Sequence, residues 1–321
     1  MRAVQVTRLD GPDAVEVADI DEPAGDGLVV VDVHAAGVTF PDVLVTRGQY
    51  QVKPDLPFVP GSEVAGVVRS APEGAGVGVG DRVAAFGGFG GFAETVAVDP
   101  GLVFALPDEL SFAAAAGLPM NYLTVHFALV RRGGLQPGET VLVHGAAGGV
   151  GTAAVQLAKA LDARVVAVVS SDAKAEVARR AGADETVPAD GFRDAVAALT
   201  DGRGVDLVVD PVGGDRFTDS LRSLAPEGRL LVIGFTAGEI PTVKVNRLLL
   251  NNLAVVGVGW GAFWLRETDY PRQQWTELWP HLEAGVLRPV LGSTYPLEHA
   301  AEALRELDER RAQGKVVLEV R

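Results

Sequence analysis

The sequence predicts an α/β fold in two parts: a mostly antiparallel β domain and a doubly wound parallel sheet of six strands. Three observations carry this expectation. The rhythm of the chain changes near residue 110, short apolar strands then alternate with helical stretches, and a glycine-rich loop joins one such strand to a helix.

In the first part, VEVADI (15–20), LVVVDVHAAGV (28–38), EVAGVVRS (63–70), DRVAAF (81–86) and ETVAV (94–98) are rich in β-branched residues. Glycine clusters such as EGAGVGVGD and FGGFGG separate them, the pattern of a compact β domain. In the second part the strands are ETVLVH (139–144), RVVAVV (164–169), DETV (184–187), VDLVVD (205–210), GRLLVIG (228–234) and LAVVGVG (253–259). Uniformly apolar strands suit a sheet covered on both faces. Between them lie helices. Val150, Ala153, Ala154, Leu157, Ala158 and Leu161 mark one helix face, and SDAKAEVARRAGA and FRDAVAALTDG follow, each ending near glycine. The tail predicts a helix over Trp275–Glu283, a strand near Pro289–Tyr295, a helix in LEHAAEALRELDERRA and a last strand KVVLEV.

Composition narrows the function. The chain has 321 residues, 48% hydrophobic and 22% charged, so burial can offset chain entropy. Its formal charge of −14 repels phosphate backbones and anionic membranes, and nucleic acid and membrane are not expected partners. There is no cysteine, which excludes disulfides, thiolate nucleophiles and Cys-ligated zinc. The charged N-terminus has no signal-like apolar core, so a cytoplasmic protein is expected. The uncharged run Leu248–Leu265 is broken by Asn251, Asn252 and glycines, and reads as a buried strand rather than a membrane span.

The loop HGAAGGVG (144–151) carries the first chemical signal. Dinucleotide loops have the form G-x-G-x-x-G between strand and helix. Here Ala146 occupies the first glycine position, which an alanine with negative φ can serve. Gly148 allows close approach of a pyrophosphate, and Gly151 close packing of helix on strand. Ala147, Gly148, Gly149, Val150 and Gly151 are therefore expected to offer backbone N–H groups to an anion at the helix N-terminus. At the tip of the second apolar strand, Ser170, Ser171 and Lys174 suit the 2′-phosphate of NADP. Nearby Asp172 would suit NAD instead, and Ser171 can also serve as a helix cap.

Several segments then agree in order along the whole chain. GVTFPDVLVTRGQY (37–50), PFVPGSEVAGVV (57–68), VGDRVAAF (79–86), HGAAGGVGTAAVQLAKAL (144–161) and GKVVL (314–318) resemble the zinc-free, zeta-crystallin-like quinone oxidoreductases of the medium-chain dehydrogenase/reductase superfamily. A-A-G-G-V-G is that group's habitual loop. The resemblance implies a GroES-like β catalytic domain (1–121 and 264–321) built from both chain ends, and a Rossmann domain (122–263). It also implies NADPH as cofactor, a small quinone or enone as substrate, and a homodimer through the sixth Rossmann strand.

The resemblance assigns further residues. Zinc-dependent relatives bind metal where this chain has Thr39 and Ser62, hydroxyls that are poor zinc ligands. No metal is expected, so the acceptor should already be electron-poor. Tyr50 matches a family tyrosine that donates a hydrogen bond or orders a water, and packing at the surface is its other reading. Thr39 replaces the family's asparagine and keeps a donor. Asp42 matches a family aspartate and is expected to hold the loop, with action as a base as its other reading. Gly234, Phe235 and Thr236 would meet the nicotinamide ribose, and Asn121 and Thr124 would line the cofactor cleft. His126 takes a packing position. Lys315 resembles a lysine near the cofactor, with a solvated strand-end charge as the alternative. A tyrosine near the family's 2′-phosphate is replaced by Ala189.

The main expectation is an NADPH-dependent reductase that transfers hydride to a quinone or another α,β-unsaturated carbonyl. An enoyl-thioester reductase and a non-catalytic NADPH-binding protein are the alternatives. A short-chain dehydrogenase lacks its Tyr-x-x-x-Lys, and a serine hydrolase its G-x-S-x-G turn.

Overall fold

The computed structural model describes residues Met1–Arg321. The chain forms two compact units. The first comprises Met1–Met120, Thr268–Glu283 and Arg288–Arg321, and the second Asn121–Glu267 and Ala284–Leu287.

The first unit begins with β1 (Arg2–Val6) and β2 (Val15–Asp19), an antiparallel hairpin. Then come β3 (Val29–Gly37), β4 (Glu63–Ser70), β5 (Arg82–Phe86), β6 (Thr95–Val98) and β7 (Val103–Ala105). In the second unit lie β8 (Thr140–Val143), β9 (Arg164–Val169), β10 (Glu185–Pro188), β11 (Val205–Asp210), β12 (Leu224–Val232) and β13 (Ala254–Gly257). The chain returns to the first unit with β14 (Leu291–Pro296) and β15 (Lys315–Glu319).

The main sheet of the first unit has the order β14-β15-β3-β4-β5-β7, with β6 also paired to β3. All of its pairings are antiparallel except β14 with β15. The last strand of the chain therefore completes a sheet begun near residue 29, and both chain ends share one core. That core joins Val29, Val31 and Val33 to Val64, Val83 and Val96, and to Ala303 and Leu304 of the helix Ala300–Asp308.

The second unit is a single parallel sheet in the order β10-β9-β8-β11-β12-β13, flanked by the crossover helices. The six apolar strands expected from the sequence are all present. The chain winds outward from β8 to β10, then returns to the centre at β11 and winds the other way. That reversal places a topological switch between β8 and β11, where open α/β sheets bind ligands beyond their carboxyl ends. Val141, Leu142, Val143, Val208 and Val209 are wholly buried, as central parallel strands require.

One expectation needs correction. The segment 248–265 is a helix end, the edge strand β13 and a short helix. The helix long and apolar enough to cross a membrane is instead Phe112–Arg132, and 78% of its most apolar window is buried inside the protein. A core helix accounts for it. Two π-helical turns, Pro119–Leu123 and Phe127–Arg132, flank Thr124–His126 within it. Such turns are uncommon and recur at functional sites.

Candidate functional site

In the second unit β8 runs into the loop, and the loop into the helix Gly149–Ala160. Gly145 takes φ +57°, a conformation that favours glycine, while Ala146 keeps clear of positive φ and fits its position without strain. The tight turn has moved one residue upstream, and Ala146 itself is wholly buried. Gly148 is the extended N-cap of the helix, and no side chain caps that terminus. Helical geometry leaves the N–H groups of Gly149, Val150 and Gly151 without intrahelical acceptors, facing the N-terminal end where an anion is favoured. A methyl group on Gly151 would stand 2.1 Å from the Gly145 carbonyl oxygen, so only glycine allows this packing.

At the tip of β9, next to β8 in the sheet, Ser170 and Ser171 are exposed and Lys174 is half-buried. Ser171 caps the helix Asp172–Arg180 by accepting the Lys174 N–H at 3.3 Å. Capping leaves the Ser171 hydroxyl proton free to donate. Partial burial pushes the Lys174 ammonium pKa down. Two hydroxyls, a cation and an uncapped helix terminus fit a dinucleotide carrying a 2′-phosphate. Ala189, at the end of β10, is buried and its N–H is taken by Val169.

Asp210 closes β11 and accepts the N–H groups of Val212 and Gly213, both at 2.9 Å. The next loops zip together, Thr236 N–H to Pro211 and Ala237 N–H to Val212, which holds Gly234, Phe235 and Thr236 beyond the end of β12. Asn121 is buried with its amide against Gly149, where a Cβ would lie 2.7 Å from Asn121 Nδ2. Beside it the Tyr122 hydroxyl donates to Gln156 Oε1 at 2.7 Å, tying the π-helical turn to the helix Gly149–Ala160. Burial raises the Tyr122 pKa, so it stays a donor. Thr124, two residues on, is half-buried, and His126 is buried.

His144 precedes the loop and is buried edge-on to Phe192. Ser220 Oγ donates to the Arg216 carbonyl at 3.0 Å, so at 2.8 Å it accepts a proton from His144 Nε2. Burial lowers the imidazole pKa to about 4, and Nδ1 has no partner. The ring is a neutral packing group.

In the first unit, Thr39 precedes the helix Phe40–Thr46 and Asp42 lies in its first turn. Asp42 Oδ2 accepts the Thr39 N–H at 2.8 Å and the Thr39 hydroxyl at 2.6 Å, and Oδ1 accepts the Gly61 N–H at 3.3 Å. Ser62 is buried with its hydroxyl unpaired. Tyr50 is half-buried against the cluster of Val6, Val45 and Phe58, and burial together with the Asp42 charge raises its pKa.

Lys315 overturns the solvated alternative. Its side chain is 4% exposed, and its ammonium binds Glu63 Oε1 and, at 3.0 Å, the Val38 carbonyl. Glu63 Oε2 accepts the Met120 N–H at 2.8 Å.

No group of three or more His, Asp or Glu side chains is arranged to hold a metal ion. The Thr39 hydroxyl is engaged by Asp42 and Ser62 offers only a hydroxyl, so the donor set does not fit zinc.

Sequence reasoning missed Glu63, Gln156 and Asp210. Glu63 opens β4, Asp210 closes β11 and Gln156 lies on the buried face of the helix Gly149–Ala160, each next to apolar residues, and that placement is the signal available in advance.

An antiparallel β unit joined to a doubly wound parallel unit with an uncapped glycine loop is the architecture of a medium-chain dehydrogenase/reductase. Residues 25–108 match the alcohol dehydrogenase GroES-like domain family, and residues 149–284 the zinc-binding dehydrogenase family. The chain belongs to the quinone oxidoreductase family of that superfamily. It is 39% identical to quinone oxidoreductase-like protein 2 of Rattus norvegicus, covering 100% of this chain and 92% of that protein. A probable oxidoreductase from Mycobacterium abscessus superposes with a TM-score of 0.91 at 48% identity, covering 100% of this chain and 99% of the other. Quinone oxidoreductase from Thermus thermophilus, also solved in complex with NADPH, superposes with a TM-score of 0.86 at 39% identity, covering 100% of both chains.

Proposed function

We propose that the protein is an NADPH-dependent reductase that transfers hydride to a quinone or another electron-poor α,β-unsaturated carbonyl without a metal. The observation that carries this reading is the phosphate-ready end of β8 and β9. The helix Gly149–Ala160 has no side-chain cap, and Ser170, Ser171 and Lys174 stand at the adjacent strand tip. When bound, NADPH supplies the hydride. The chain's own groups bind phosphates through the loop amides and Lys174 and keep the Tyr50 hydroxyl protonated as a donor, while the Thr39 hydroxyl is given to Asp42. Without a metal to polarise an alcohol, an acceptor that already draws electrons is the chemistry these groups can serve. The NADPH-bound relative from Thermus thermophilus supports the reading.

Turnover of NADPH with 9,10-phenanthrenequinone, 1,4-benzoquinone, an enone and an enoyl-CoA tests it. Quinone or enone reduction is expected. Preference for enoyl-CoA would move the protein to the thioester reductases, and no turnover with any acceptor would leave a binding protein.

Lys174→Glu is expected to weaken NADPH binding by roughly 10–100-fold, the loss of a charge-assisted contact of ~1.5–3 kcal/mol, while sparing NADH. Equal weakening of both cofactors would contradict a 2′-phosphate at Lys174.

The reading includes a homodimer through β13. This strand is paired on one side only, and Val245, Leu249 and Leu250 before it are exposed. A monomeric mass at micromolar concentration in sedimentation would sink the dimer.

A further inference from the structure

Gly149 is the glycine of the loop that phosphate approach and backbone geometry leave unexplained. Gly145 needs its positive φ, Gly148 is the extended cap, and Gly151 packs on backbone. Gly149 opens the helix with φ outside the left-handed region, a position where glycine is a poor helix former. What it makes room for is a side chain. A Cβ there would stand 2.7 Å from Asn121 Nδ2, 3.3 Å from its Cγ and 3.4 Å from its Oδ1. The buried Asn121 carboxamide lies against the bare backbone of the first helical residue.

The next residue is tied to the same helix, since the Tyr122 hydroxyl donates to Gln156 Oε1 at 2.7 Å. Gly149 and Gln156 are seven residues apart, two turns and about 10 Å along one helix face. Two consecutive residues of the π-helical turn therefore pin the helix at its N-terminus and again two turns on. Tyr122 is 1% exposed, a place where phenylalanine would fill the space and need no partner. The hydroxyl adds direction, because a hydrogen bond fixes distance and angle where apolar packing is non-directional. Asn121, Tyr122, Gly149 and Gln156 all belong to the second unit, which carries the loop.

We propose that Tyr122 and Gln156 are positioning residues for the cofactor. Their hydrogen bond seats the Asn121 amide against Gly149, and that contact fixes where the helix N-terminus presents its N–H groups to the diphosphate. This role rests on the NADPH reading above and adds what holds the diphosphate site in place. The N–H groups of Gly149, Val150 and Gly151 move with the helix as one body. A small shift of its end lengthens each of their contacts to an anion together, and charge-assisted hydrogen bonds weaken with distance.

The test compares two ligands on the full chain by isothermal titration calorimetry. One is NADPH, and the other is adenosine 2′-monophosphate, which carries the 2′-phosphate without the diphosphate. Tyr122→Phe removes only the hydroxyl. It is expected to weaken NADPH roughly tenfold, equivalent to ~1.4 kcal/mol, and to leave adenosine 2′-monophosphate within about twofold. Gln156→Leu breaks the same bond from the other side and should show the same split, so the test does not depend on one variant folding. Asn121→Ala should weaken NADPH by a similar factor. In Tyr122→Phe/Asn121→Ala the losses should not multiply, because the tyrosine acts through the asparagine, and the double variant should stay within about twofold of Asn121→Ala.

Equal weakening of both ligands in Tyr122→Phe and Gln156→Leu would show a general loosening of the unit and overturn the positioning role. Wild-type NADPH affinity in Tyr122→Phe would overturn it too, as would a double variant weakened roughly 100-fold. In each of these cases a wild type that binds NADPH keeps the cofactor reading intact. A wild type that does not bind NADPH removes that reading, and the positioning role with it.

Discussion

Lys315→Met is expected to destabilise the first unit by about 3–5 kcal/mol, read as a lower urea midpoint by circular dichroism. Lys315 enters its site through a slot lined by glycine. A Cβ on Gly37 would lie 2.8 Å from Lys315 Cε, and one on Gly117 would lie 2.9 Å from Lys315 Cγ. Methionine matches the lysine stem in length, so the slot stays filled and the loss comes from the ammonium, through its ion pair with Glu63 and its hydrogen bond to the Val38 carbonyl. What is left is Glu63, with 0% exposure and no cation. Breaking one side of a buried pair is costly because the partner charge keeps its desolvation penalty.

The double variant Lys315→Met/Glu63→Gln should regain most of the loss, since glutamine is neutral and still offers an oxygen to the Met120 N–H. Glu63→Leu in the same background should recover less, because that N–H would lose its acceptor, at ~1–3 kcal/mol. A two-unit chain need not unfold in one step, so the transition of the first unit is the one to follow. An unchanged midpoint in Lys315→Met would show that the pair contributes nothing net.

The second large effect is expected from Gly151→Ala. The added carbon would lie 2.1 Å from the Gly145 oxygen, 2.6 Å from Ala146 Cα and 2.7 Å from the Gly145 carbonyl carbon. All three are backbone atoms, so no side chain can move aside. The helix must shift off the loop, and the N–H groups of Gly149, Val150 and Gly151 turn from the position an anion would take. NADPH affinity should fall by roughly 100-fold, equivalent to about 2.7 kcal/mol, in a fluorescence titration. Ala146→Gly is the control. Its φ is already negative and its side chain is small and buried, so restoring the missing glycine should change affinity by less than about threefold. Unchanged binding in Gly151→Ala would mean that the loop does not hold the pyrophosphate.

The two variants fall on opposite sides of what a sequence can show. Gly151 and its neighbours were legible because strand, loop and helix are contiguous, and each glycine answers to a local geometric demand. The six parallel strands were legible for a similar reason. A run such as VDLVVD reports its own burial on both faces. The seven-stranded sheet was only partly legible. β7 escaped notice because VFA is too short to show a period and pairing across the sheet decides its state, while β1 of the separate two-stranded sheet was missed because RAVQV is short and mixed.

Lys315 shows where local reading ends. It opens a short strand near the chain end, where charges are usually solvated, yet it pairs with Glu63 across 252 residues of sequence. The same holds for Asp42 with Gly61 and for Tyr122 with Gln156. By itself the sequence determined the two-part α/β architecture, the glycine-rich strand–loop–helix with its alanine variant, and a chain with no thiolate for zinc. Those features depend on residue type and on spacing within one element. Tertiary structure alone decided which polar side chains meet: the buried Glu63–Lys315 pair, the Thr39–Asp42 contact, and the solitary Ser62 hydroxyl. Periodicity records whether a residue is buried, while its partner is set by how separate elements pack, and that leaves no trace in the neighbouring residues.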